Sequence, residues 1–250
     1  MTLRKGDDLT GTVALVTGAG KNIGRAIARS LAAGGASVMV HANSSEDAAR
    51  ETFGLIEKEG GAAAYCLADV TQPEQVNAMV QQAVDRFGRL DFLVNNHALR
   101  GHTPIEQLTY EEWRKVVSVT LDGTWLCCKA AVPHLIASGG GAIITFGGQG
   151  ALQGQRGGTH ASAAKHGVVG LTKALALDLA KYGISVNCVA PALINTLGPD
   201  GEVRHTSATT PMGRIGRVEE VAALVRMLCG PEVRYITGQT LHINGGGLMP

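Results

Sequence analysis

The chain has 250 residues, enough for one α/β domain with a sizeable core. Its 22 basic and 21 acidic side chains give a net charge of +1, which leaves no electrostatic footprint for nucleic acid or an anionic membrane surface. The five cysteines (Cys66, Cys127, Cys128, Cys188, Cys229) have neither metal-site spacing nor the density of a disulfide framework, and they fit a reducing cytosol.

The opening stretch MTLRKGDDLTG lacks the apolar run of a signal peptide, and no uncharged apolar run reaches membrane-spanning length, so a cytoplasmic protein is expected. "TVALVT" (12–17) predicts a buried strand, and residues 22–33 a helix. "ASVMVHA" is strand-like, 46–59 helical, "AAAYCLA" strand-like and 73–87 helical. "LDFLVNN" is a strand, 109–138 a long helix and "GAIITFG" a strand. Residues 160–181 are helical, "ISVNCVA" is a strand, 217–229 helical and "TLHIN" the last strand. This β-α-β rhythm implies an α/β fold, a doubly wound parallel sheet of about seven strands with helices on both faces. The least regular segment, 191–216, follows the carboxyl end of a strand, where such sheets bind ligands, and is a candidate substrate lid.

"VALVTGAGKNIGRAIA" sets Gly18, Gly20 and Gly24 between the first strand and its helix. Such a turn brings backbone N–H groups and a positive helix end to a pyrophosphate, although any tight turn uses glycine. After the second strand, Ala42, Asn43 and Ser44 stand where an NAD site offers a carboxylate to the ribose. With Lys21 in the glycine loop, this favours a 2′-phosphate and hence NADP(H) over NAD(H); otherwise Lys21 is a solvated loop charge.

Together these motifs resemble the short-chain dehydrogenase/reductase family over nearly the whole chain, in particular its 3-oxoacyl-ACP-reductase-like members. "TGAGKNIG" is similar to the family's TGxxxGxG, with Asn22 for the middle glycine and Ile23 beside Gly24. "LADVT" matches the adenine-contacting stretch through Asp69 and Val70, and "VNNHA" resembles NNAG, with Asn95 and Asn96 matching and His97 and Ala98 departing. "NCVAPALINT" resembles the stretch beside the nicotinamide, bringing in Pro191, Ile194 and Thr196. The resemblance implies a single Rossmann-type dinucleotide-binding domain over 1–250 that assembles as a dimer or tetramer.

The family's catalytic set is Asn, Ser, Tyr and Lys. Anchored on Lys165, this chain has Ala161 for the tyrosine, Gly148 for the serine and Thr120 for the asparagine. Four groups come into question as replacements. On a helix, Ala161 lies about 40°, Ser162 about 60° and His160 about 140° from Lys165, so His160 points too far round and Ser162 is a weak acid. His97 is the best substitute proton donor, with His102 in the same loop; both can equally fill space left by missing side chains. Lys165 is expected to hold the ribose, or else to act as base or amine nucleophile with a lowered pKa.

Three functions follow: an NADP(H)-linked carbonyl/alcohol oxidoreductase with a non-standard proton relay; a non-redox lyase, hydratase, isomerase or hydrolase using His97 and Lys165; or an inactive cofactor-binding protein. The two long helices carry apolar residues on more than one face (Trp125, Leu126, Val168, Val169, Leu171), which predicts a homo-oligomer binding a small-molecule substrate.

Overall fold

In the computed structural model, which describes residues 6, 8–198, 202 and 210–249, seven strands form one parallel sheet. The strands are β1 (Val13–Val16), β2 (Ser37–Ala42), β3 (Ala63–Leu67), β4 (Phe92–Asn95), β5 (Gly141–Phe146), β6 (Ile184–Pro191) and β7 (Thr240–Ile243). Their order is β3-β2-β1-β4-β5-β6-β7. Strand direction requires a crossover after each strand, and the helices α1 (Asn22–Ala33), α2 (Glu46–Lys58), α3 (Pro73–Phe87), α4 (Tyr110–Val117), α5 (Gly123–Ala137), α7 (Thr159–Leu179) and α8 (Val218–Cys229) supply them.

Both faces of the sheet are covered, so the strands are apolar throughout and alternate residues feed two cores. Ala14 and Val16 of β1 join Phe92, Val94 and Ile144 on one face, where α1 and α8 pack. Val13 and Leu15 join Leu93 and Ile143 on the other, with the buried side chains of α3 and α5.

Two features depart from the sequence reading. The segment 109–138 is not one regular helix: α4 passes into α5 through a π turn at Ser118–Asp122, where the Gly123 N–H reaches back to the Ser118 carbonyl. The glycine-rich stretch after β5 also holds a short helix, α6 (Gln149–Gln153). Much of the candidate lid, 199–201 and 203–209, lies outside the described residues.

Candidate active site

The strand order reverses between β1 and β4, and a cleft of about 470 Å³ opens at their carboxyl ends. Its volume suits a small-molecule ligand. One wall is the turn from β1 into α1. Gly24 lies so close to its neighbours that a methyl group there would overlap the Gly18 carbonyl and sit 2.6 Å from Asn96 Nδ2. Only glycine permits the helix to start this near the strand. The first turn of α1 has no side-chain cap and no acidic residue. Its unpaired N–H groups and positive helix end therefore favour an anionic ligand in the cleft.

Two side chains bolt this turn in place. Asn96 Nδ2 donates to the carbonyls of Thr17 (3.1 Å) and Gly18 (2.9 Å). His41, buried at the end of β2, accepts from the Gly18 N–H through Nδ1 (3.2 Å), so its Nε2 carries the proton and donates to the Ala68 carbonyl (2.9 Å). Burial lowers the His41 pKa and keeps this tautomer uncharged.

At the inner end, Thr17 Oγ1 lies 2.7 Å from His97 Nδ1 and accepts from the N–H groups of Asn96 and His97. The Thr17 hydroxyl also donates to the Val94 carbonyl (3.2 Å), so its one proton is shared between that carbonyl and the His97 ring. Nε2 is buried without a well-formed hydrogen bond. Burial above all, reinforced by the neighbouring His41 and Lys165, which disfavour a second positive charge, pushes the His97 pKa down to about 3, and only the Val119 carbonyl of the π turn acts the other way. The imidazole is thus neutral at physiological pH. Lys165, on α7, donates from Nζ to the Phe146 carbonyl at the end of β5 (2.5 Å). Burial lowers its pKa to about 8, with Cys188 opposing and Arg100 reinforcing the shift.

Of the residues singled out from sequence, Gly18, Lys21, Asn22, Ile23, Gly24, Asn43, Asp69, Val70, Asn96, His97 and Thr196 line this one cleft. Others do not. Ala42 is buried in the core beside α1, and its neighbour Asn43 reaches the cleft instead. Asn95 is buried and turns to Cys128 Sγ (3.3 Å). Ile194 packs in the core, Gly20 packs on Ala48 of α2, and Ser44, Pro191 and Lys165 do not line the cleft, Lys165 turning its Nζ to the Phe146 carbonyl. Thr120 is buried in the π turn and exchanges hydrogen bonds with the Leu99 backbone (3.2 and 3.3 Å). His160 is fully buried, with Nε2 3.8 Å from Glu112 Oε1, and the Ser162 hydroxyl is buried without a partner.

Sequence reasoning missed His41, Val119, Arg100, Lys115 and Leu197, which also line the cleft. The histidine in "VMVHA" was visible, but its role depends on β2 lying beside β1. Ala161 stands one turn before Lys165, and Gly148 has φ +152° with no heavy atom within 4 Å of where its Cβ would be. Among the described residues no group of His, Cys, Asp and Glu could hold a metal ion, and no helix is long and apolar enough to cross a membrane.

Comparison with known proteins agrees with this architecture. The family model described as enoyl-(acyl carrier protein) reductase matches residues 18–247. A "3-oxoacyl-[acyl-carrier-protein] reductase" of Synechocystis sp. is 37% identical over 243 residues, covering 96% of this chain and 98% of that protein. "3beta-hydroxysteroid dehydrogenase 1" of Eggerthella lenta is 38% identical over 247 residues, covering 96% and 95%. A "3-oxoacyl-[acyl-carrier-protein] reductase FabG" of Vibrio cholerae is 37% identical over 246 residues, covering 97% and 99%.

Proposed function

The chain belongs to the short-chain dehydrogenase/reductase family, and from that membership we propose that it is an NADP(H)-linked oxidoreductase of a carbonyl/alcohol couple whose proton relay does without tyrosine. The observation that carries this reading is the cleft itself, which gathers the uncapped start of α1, Asn43, Asp69, Val70 and Asn96 at the point where strand order reverses. The names of the relatives, a 3-oxoacyl reductase and a hydroxysteroid dehydrogenase, support a carbonyl/alcohol couple.

The turn at Gly18–Gly24 would hold the pyrophosphate, Asp69 and Val70 the adenine end, and Lys21 with Asn43 a 2′-phosphate, since no carboxylate from β2 reaches the cleft. Bound there, NADPH supplies a hydride. The chain's own residues must supply the proton. His97 is held neutral, so it is a poor acid, and the same low pKa makes it a poor base. Lys165, with a pKa of about 8, is mostly protonated at pH 7 and is a far stronger acid than an ordinary lysine. We therefore assign proton delivery to Lys165 Nζ, with His97 as a neutral hydrogen-bonding group. Gly148 carries no side chain, and no heavy atom lies within 4 Å of where its Cβ would be, which leaves room for a ligand there. In the opposite direction the neutral amine takes the alcohol's proton. The segment 191–216 remains our candidate for the lid over this substrate.

Calorimetric titration with NADPH and NADH tests the cofactor; tighter NADH binding, or none of either, defeats the proposal. Turnover of acetoacetyl thioesters followed by NADPH absorbance tests the chemistry. Lys165→Ala is expected to lower turnover by about a hundredfold or more. His97→Asn is expected to lower it by less.

A further inference from the structure

One contact closes the mouth of the cleft. The Asn22 carboxamide pairs with both backbone groups of Leu197: Nδ2 donates to the carbonyl and Oδ1 accepts from the N–H, each at 2.9 Å. Asn22 opens α1 within the glycine turn, and Leu197 follows β6, 175 positions later. Thr196, Leu197 and Gly198 form one side of the cleft there, and Gly18, Lys21 and Asn22 the other.

We infer that this pairing is a clasp that gates the dinucleotide: residues 193–198 form a strap over the pyrophosphate turn, and cofactor passes only when Asn22 lets go of Leu197. The inference rests on the proposed dinucleotide site. The base of the strap is fixed independently, by the Asn195 N–H to the Gly216 carbonyl (2.8 Å) and the Gly216 N–H to the Leu193 carbonyl (2.9 Å). Beyond that base Asn22 holds the strap at Leu197, and the next residue, Gly198, donates its N–H to the Glu202 carbonyl (2.7 Å). Asn22 is also the one non-glycine residue with positive φ (+52°) among the described residues. Glycine would satisfy that backbone more easily. What asparagine adds is a side chain able to bridge to the strap.

The bland alternative is that asparagine is merely tolerated there, and the two explanations separate in Asn22→Gly. This variant suits the backbone and should fold, yet removes both bonds. In the protein alone, exchange of the Leu197 amide measured by NMR is expected to quicken about tenfold, as loss of two exposed hydrogen bonds predicts. In Asn22→Asp, which keeps the acceptor for that N–H, exchange should lie between the two. With NADPH as probe in stopped-flow fluorescence, the Asn22→Gly association and dissociation rates should both rise several-fold while affinity changes much less. NADPH binding with both rates unaltered overturns the gate and leaves the cofactor assignment intact. Unchanged Leu197 exchange overturns the clasp itself. Failure of the unmodified protein to bind NADPH overturns the proposed function, and the gate with it.

Discussion

Burial of two imidazoles beside the cleft makes the protein sensitive to acid. His97 is neutral in the folded protein down to about pH 3, whereas in the unfolded chain it takes up a proton below about pH 6.5. Its folded pKa is depressed, so its contribution is fully present above the unfolded value and is lost as pH falls from about 6.5 toward 3. The loss approaches about 1.4 kcal/mol per pH unit, to which His41 adds in the same direction. Urea unfolding at pH 7 and pH 5 is expected to show this loss, and His97→Asn should flatten the dependence; a profile level between those values contradicts it. Lys165 gives a second pH signature. If its ammonium delivers the proton, carbonyl reduction should fall as pH rises through about 8, while alcohol oxidation rises over the same interval. A reduction rate indifferent to pH from 7 to about 9 would remove Lys165 from the role. At this scale the sequence was a partial guide. Gly24 was legible because backbone geometry at a strand–helix turn restricts residue type, and Asp69 and Asn96 were legible through the family motifs that their stretches resemble. His41 and Leu197 were not, because each gains its role from a neighbour that only the folded sheet supplies.

The elements were largely legible, since parallel strands buried on both faces read as unbroken apolar runs. The π turn at Ser118–Asp122 was not, because "SVTLDG" carries the same apolar period as a regular helix. Its effect is local and functional: it brings Val119 into the cleft wall, and Thr120 to the Leu99 backbone. The junction of β1 and α1 is the least forgiving part of the fold. Gly24→Ala would drive a methyl group into the Gly18 carbonyl, and a cost of about 3 kcal/mol or more is expected, read as a lowered urea midpoint together with lost NADPH binding. A stable Gly24→Ala protein with unaltered binding would mean that the turn is looser than drawn. On α7, Ala161→Tyr places a phenol one turn before Lys165, and a gain in carbonyl reduction, read as NADPH absorbance, is expected from this change alone.

At the scale of the molecule, the surface beside α5 and α7 is unfinished. A groove of about 510 Å³ is lined by Leu121, Trp125, Leu126 and Leu171, and Trp125 is 45% exposed. Val168, expected to share that surface, is instead buried within the protomer and cannot contribute. We expect a homo-oligomer built on this groove. Sedimentation should show a species larger than 25.9 kDa, and Trp125→Glu should shift it toward the monomer. A wild-type protein that sediments only as the monomer would refute this. The backbone at Gly148 bears on how far the site can be re-engineered. With φ at +152°, any side chain placed there would meet a main chain that side chains rarely tolerate, although the space around it is open. Chemistry at that corner of the molecule is therefore easier to alter from a neighbouring element than from position 148 itself.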